Sequence, residues 1–343
     1  MKAVYVEQTH RLSIRNQTIS QLGENDVLIK VAMAGICGSD IHVYNGRHPF
    51  RTPPVSIGHE LSGYVEEVGS NVKNIPIGSK VTVNPQVGCG ECAYCRSNQI
   101  NLCENRQAPG VGNWLGAMSE YFIASANTVF VLPNELDNRA AVLVEPFAVA
   151  FHALEKANLT SGHKLAILGA GPIGLMILLA AISKGVSQNL ITDIRNYPLE
   201  IGEKLGAGQV LNIARHEDWQ AHAEELNGGK FDRVIVCTDS PNIIKQALQI
   251  TKKGGKIITV AMFDDEHSIN MRDFQGSEKE MIGCMTYNEN NFEEAIQFLN
   301  ETNNLEEIIS NLISHILPFN EAQKGFQMVA NSQEKVIKVL LEF

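Results

Sequence analysis

Lys164–Asp193 reads KLAILGAGPIGLMILLAAISKGVSQNLITD, the pattern of a strand, a glycine-rich turn, a helix and a second strand. The apolar run Leu165–Leu168 has the character of a buried parallel strand. Gly169, Gly171 and Gly174 follow in G-x-G-x-x-G spacing, and the apolar segment from Ile173 to Ile182 is long enough for a buried helix. A second apolar run, Leu190 to Thr192, ends at Asp193, 19 residues past Gly174. Gly169 permits a tight turn out of the strand. Gly171 lets a pyrophosphate approach the backbone, and Gly174 lets helix and strand pack closely. Free N–H groups and the positive dipole end of the helix then face the phosphates. Asp193 would accept hydrogen bonds from a ribose 2′-hydroxyl and repel a 2′-phosphate, which favours NAD; Arg195 leaves NADP open as the less favoured cofactor. The stretch predicts a bound dinucleotide and is silent on what is oxidised.

The chain has 343 residues, 44% hydrophobic and 19% charged, an ordinary globular balance at a length that suggests two domains. The net charge of −10, with no run of like charges, argues against a nucleic-acid partner. The start, MKAVYVEQTHRL, is strand-like without an apolar signal core, and the run at 173–182 is too short to span a membrane. A cytoplasmic protein is expected.

Residues 1–85 read as short strands punctuated by Gly, Pro and Asn: MKAVYV, LSIR, DVLIKVAMAGIC, ELSGYVEEVG and KVTVNP. A cysteine-rich loop follows at 86–105, strand-like patterning returns at 119–132, and 138–157 has helical spacing. After the first two strands of the doubly wound unit, Gln209–Ile213, Arg233–Cys237 and Lys256–Ala261 continue it, the last introduced by Gly254-Gly255. Beyond 288 the spacing is helical through Leu312, and a terminal strand, Lys335–Glu342, is placed to pair back onto the β-rich region. No internal repeat is visible.

Four of the seven cysteines, Cys89, Cys92, Cys95 and Cys103, form C-x2-C-x2-C-x7-C. Two-residue gaps turn neighbouring thiolates onto one ion, and the fourth closes a tetrahedron, as in a structural zinc site. An iron–sulfur cluster and a disulfide knot are the alternatives. Cys37 in GICGSD, His59 and Glu60 after Gly58, and Glu145 before Pro146 at the start of a helix are candidates for a second, dispersed site. No spacing rule links them; a core thiol, a satisfied histidine and a first-turn carboxylate are the plainer readings. In NGRHPFRTPP, Arg47, His48 and Arg51 are either a solvated basic loop or a clamp for a substrate carboxylate or phosphate.

GICGSDIH (35–42), GHELSGYVEEVGSNV (58–72), the four-cysteine loop, VEPFAVAFHA (144–153) and LGAGPIGL (168–175) together resemble the zinc-dependent medium-chain dehydrogenases over essentially the whole chain. They are most similar to the polyol and sugar-acid branch, which includes sorbitol and L-galactonate dehydrogenases. The resemblance implies an α/β protein. A GroES-like β-rich catalytic domain, residues 1–148 completed by 287–343, would join a doubly wound, parallel-sheet Rossmann NAD-binding domain at 149–286. It implies two zinc ions per chain. Cys37 and His59 would ligate the catalytic one, Glu60 directly or through water, and Glu145 as a ligand or as the holder of a water. Asp40 would orient His59. Ser39 would take the substrate proton and His42 relay it. Gly169, Gly171, Pro172, Ile173, Gly174, Asp193 and Arg195 would hold the cofactor.

The implied reaction is hydride transfer between NAD and a secondary alcohol of a polyol, sugar or sugar acid, with a small-molecule alcohol or ketone as the partner. Butanediol or L-threonine dehydrogenase is the alternative within the family, and a homodimer or homotetramer joined near Met281–Met285 is implied. A zinc-binding interaction module and a zinc-free quinone reductase are the competing classes. Two departures stand out: residues 112–118, GNWLGAM, replace the usual loop beside the substrate, and Asp239 stands where relatives often have Gly. Trp114 in that loop either stacks on a sugar face or plugs the loop.

Overall fold

Alternating short strands at both ends of the chain and one βα alternation in the middle divide the molecule. The computed structural model describes residues 1–331 and 335–343. It separates into two units: Met1–Glu145 with Asn288–Phe343, and Pro146–Tyr287.

In the first unit, β1 (Lys2–Gln8), β2 (Arg11–Asn16) and β4 (Val55–Ser56) form a three-stranded sheet in the order β2-β1-β4. The larger sheet contains β3 (Asp26–Gly35), β5 (Glu60–Val68), β6 (Lys80–Val83), β7 (Tyr121–Ser125) and β8 (Val129–Val131). Val27, Ile29, Val31, Leu61, Val65, Val81 and Phe122 from these strands fill one core. Helix α1 (Gly38–Tyr44) follows β3, and α2 (Ala93–Arg96) is a single turn inside the cysteine loop. Helix α3 (Asn138–Lys156) crosses the division between the units and holds Pro146 in its interior. Glu145 therefore lies mid-helix, not at a helix start. Every residue from Ala140 to Ala148 is buried, and that burial outweighs the hydrogen bond lost at the proline.

The second unit is a parallel sheet of β9 (Leu165–Leu168), β10 (Asn189–Asp193), β11 (Gln209–Asn212), β12 (Phe231–Val236), β13 (Thr251–Thr259) and β14 (Glu280–Gly283), ordered β11-β10-β9-β12-β13-β14. The order reverses between β9 and β12, the position where open α/β sheets bind ligands. Helix α4 (Pro172–Ser183) is apolar on nearly every face and is buried accordingly. Strand β13 begins earlier than the Gly-Gly signal suggests: Thr251 already pairs with Phe231, and the register shifts before Lys256 pairs with Arg233.

The chain then returns to the first unit. Helices at Glu289–Glu301 and Leu305–Leu312 match the spacing, but β15 (Ile313–Pro318) follows the second without a turn, and a further helix spans Ala322–Asn331. The last strand, β16 (Lys338–Glu342), pairs parallel with β15 and antiparallel with β3, which closes the sheet order β15-β16-β3-β5-β6-β8. Among the described residues no helix is long and apolar enough to cross a membrane.

Candidate active site

The first unit gathers Cys37, His59 and Glu60, with one ligand atom of each within 4.8 Å of the others. One carboxylate ties the two peptides that carry them. Asp40 in the first turn of α1 is fully buried; its Oδ2 accepts from Cys37 N at 3.1 Å and its Oδ1 from Gly58 N at 3.3 Å. Gly58 has φ +95°, and an added Cβ would lie 2.8 Å from Met118 N, so the turn into His59 requires glycine. His59 Nδ1 faces Asp40 Oδ1 at 3.7 Å, which leaves Nε2 as the nitrogen available to a metal. Burial disfavours the charged form of both groups. The Cys37 and Asp40 charges nevertheless hold the His59 pKa well above its ordinary value, and His59 and Arg51 hold that of Asp40 below its own.

Glu60 opens β5 opposite Gly35 of β3. An added Cβ at Gly35 would fall 1.9 Å from Glu60 Oε2, so the carboxylate lies across the backbone of β3. Its Oε1 accepts from Lys338 Nζ at 2.6 Å. Oε2 is 2.5 Å from the same nitrogen without the alignment of a hydrogen bond. A buried carboxylate oxygen without a hydrogen bond, beside a thiol and an imidazole whose other nitrogen faces Asp40, makes a donor set that fits zinc. Glu145 is buried in α3 and its charge acts on Lys338, but it is not among the three residues whose ligand atoms converge. Spacing gave no hint of Lys338; a lysine inside the apolar run Val336–Leu341 was the available signal.

Ser39 and His42 lie three residues apart on α1, so they are neighbours on its surface. Both are half-buried. The loop after α1 is not a solvated basic loop. Arg47 is exposed, but His48 and Arg51 are buried. Arg51 Nη1 lies 4.0 Å from Asp40 Oδ1, and its Nε has no hydrogen bond. His48 Nδ1 accepts from Arg51 N at 3.1 Å, and burial together with the Arg51 charge pushes its pKa down to about 4. The two arginines do not share one exposed face. Trp114 donates from Nε1 to Ile123 O at 2.9 Å and stacks on Phe122, so its ring closes its own loop.

Cys89, Cys92, Cys95 and Cys103 also converge within 4.8 Å. Cys89 and Cys95 sulfurs are 4.0 Å apart, too far for a disulfide and close to the roughly 3.8 Å expected for two thiolates on one tetrahedral zinc. Backbone N–H groups of Cys89, Cys92 and Cys95 point at neighbouring sulfurs at 3.3–3.4 Å. An added Cβ at Gly88 would lie 2.7 Å from Cys95 Sγ. The loop is shaped around its sulfurs and fits a closed zinc site.

In the second unit the three glycines separate by role. Gly169 has φ +107°. A Cβ at Gly174 would sit 1.9 Å from Gly169 O, whereas a Cβ at Gly171 would meet nothing within 4 Å. The open side of Gly171 fits a pyrophosphate cradle, and Pro172 starts α4 with Ile173 behind it. Asp193 ends β10; its Oδ2 accepts from Ala170 N at 3.1 Å and its Oδ1 from Arg195 N at 2.9 Å. Arg195 Nε is 3.4 Å from the same carboxylate, so Arg195 is engaged with Asp193.

Fold and sites together define a zinc-binding oxidoreductase that uses a nicotinamide dinucleotide. Residues 23–134 match the alcohol dehydrogenase GroES-like domain, and 172–301 the zinc-binding dehydrogenase domain. The chain is 32% identical to a sorbitol dehydrogenase of Bacillus subtilis over 87% of its own length and 86% of the relative's. It is 32% identical to an L-threonine 3-dehydrogenase of Chromobacterium violaceum over 97% and 96%. An alcohol dehydrogenase (RspB) of Escherichia coli CFT073, solved with the cofactor NADH, superposes with TM-score 0.91 at 28% identity, covering 100% of this chain and 99% of that one. The chain belongs to the zinc-dependent medium-chain dehydrogenase family, in its polyol dehydrogenase branch.

Proposed function

We propose that the protein oxidises a secondary alcohol of a polyol, sugar or sugar acid to the ketone with NAD, releasing NADH and a proton. The convergence of Cys37, His59 and Glu60 next to Ser39 and His42 carries this reading. When bound, zinc supplies a Lewis acid for the alcohol oxygen and NAD an acceptor for the carbinol hydride. Asp40 keeps His59 in the tautomer that offers Nε2 to the metal, and Glu145 would serve as a further ligand or as the holder of a water. The Ser39 hydroxyl takes the alcohol proton, and His42, one helical turn on, passes it outward. Asp193 selects NAD over NADP by accepting from the ribose 2′-hydroxyl. Threonine or butanediol oxidation is the second reading, favoured by the likeness to L-threonine 3-dehydrogenase. The protein acts in the cytoplasm as a dimer or tetramer, joined at β14, which forms the edge of its sheet.

The test follows NADH absorbance with the zinc-loaded protein and a panel of polyols, sugar acids, sugar phosphates, butanediol and threonine, with NAD and then NADP. Turnover of one polyol or sugar-acid class with NAD, abolished in Cys37→Ser and His59→Ala, is the expected result. Turnover that survives both substitutions refutes the site. Turnover of threonine or butanediol alone replaces the first reading with the second.

A further inference from the structure

The last strand carries a cation into the metal cluster. Lys338 is 2% exposed, and its Nζ donates to Glu60 Oε1 at 2.6 Å and to Ile36 O at 3.0 Å. Three strands converge to make this contact, since Gly35 of β3 pairs with Glu60 of β5 on one side and Leu340 of β16 on the other. A Cβ at Gly35 would lie 1.9 Å from Glu60 Oε2 and 3.1 Å from Lys338 Cε, so the glycine clears room for both partners. The Glu60 carboxylate consequently faces two places for a cation. One is filled by Lys338; the other lies toward Cys37 and His59, whose ligand atoms are within 4.8 Å of it. Two cations that share one carboxylate repel each other, and each weakens the other's hold on it.

We propose that Lys338 competes with the catalytic metal for Glu60. It is a positioning residue that keeps Glu60 from ligating fully and so preserves an open coordination place for the substrate. The inference rests on the reading of Cys37, His59 and Glu60 as the metal site. A carboxylate released from its lysine would close on the metal as a full ligand, which would hold the ion more tightly and fill the place a substrate oxygen needs.

Lys338→Met keeps most of the side chain's length and removes its charge and its donors. The readouts are the rate of zinc loss to a chelator and the visible ligand-field spectrum of the cobalt-substituted protein. Expected in Lys338→Met is release from the Cys37 site slowed tenfold or more, with a changed cobalt spectrum, while the four-cysteine zinc leaves at its wild-type rate. Lys338→Arg, which restores the charge, returns both readouts toward wild type. Unchanged release and spectrum in a protein with two zincs per chain overturn the inference alone, as does faster release. A wild-type protein with a single zinc per chain overturns the site and the inference together. If Lys338→Met does not fold, Lys338→Gln, which retains a donor for Ile36 O without the charge, is measured in the same way.

Discussion

Asp40→Asn tests the architecture of the metal site most directly, because one carboxylate serves both ligand-bearing turns. Oδ2 accepts from Cys37 N and Oδ1 from Gly58 N, while Oδ1 also faces His59 Nδ1 and the Arg51 guanidinium. An amide has one oxygen. In either orientation its NH2 meets a donor, so one buried backbone N–H loses its acceptor, at about 1–3 kcal/mol. The change also leaves the Arg51 guanidinium buried without its counter-charge. Breaking a buried pair costs about 3–5 kcal/mol, and the 4.0 Å separation here points to the lower end. The lower ends together give about 4 kcal/mol, against a total stability of about 5–15 kcal/mol for a typical domain. Asp40→Asn should fold and should unfold at a markedly lower urea concentration. His59 loses the group that fixes its ring, so zinc affinity at the Cys37 site should fall about 10–100-fold, measured by chelator competition. The zinc of the four-cysteine loop is the internal control and should be retained. A stability loss under about 1 kcal/mol together with zinc affinity within about twofold of wild type would mean that neither the orphaned donor nor the freed imidazole matters to this site.

Three further substitutions have defined outcomes. Gly174→Ala places a Cβ 1.9 Å from Gly169 O, so α4 must shift off β9, with a loss of about 1–3 kcal/mol in a urea melt. Gly171→Ala meets nothing within 4 Å and should leave stability unchanged, yet it should weaken NADH binding about tenfold or more in a fluorescence titration, since it fills the cradle; normal binding by that variant would remove the cradle. In the first unit, hydrogen bonds from Arg15 and then Ser13 hold Glu7 down to about 2 from its ordinary 4.5. A carboxylate with a depressed folded-state pKa stabilises the fold above its unfolded value and loses that contribution as pH falls from 4.5 toward about 2. Glu7→Gln should therefore flatten the acid side of the stability profile in that window, and parallel profiles for the two proteins would show that Glu7 contributes nothing there.

What the sequence disclosed divides along the distance over which each feature is built. The glycine loop and the four-cysteine loop are local. The turn at Gly169, the opening at Gly171 and the helix contact at Gly174 lie within six consecutive residues, and spacing alone was enough to assign each a task. Signals that are local but ambiguous misled where packing intervened. Pro146 marks a first turn in most helices, yet here it sits inside a buried one, and Gly254-Gly255 falls within β13 instead of opening it. Strand β15 was hidden because Ile313 both ends a helix and begins the strand, with no turn residue between them. The cluster of Cys37, His59 and Glu60 is the opposite case. Cys37, His59 and Glu60 could be connected only through family resemblance, because what joins them is Asp40 bridging two turns. The Glu60–Lys338 contact spans 278 residues and exists because β16 pairs with β3 in a register that brings Lys338 across from Glu60. Register between distant strands is set by which faces are buried together and by the room each Cβ leaves, and no single segment carries that information. Gly35 shows the point: in the sequence it is merely the residue that opens GICGSDIH, and in the fold its missing side chain leaves room for a carboxylate and a lysine to meet beside Cys37 and His59.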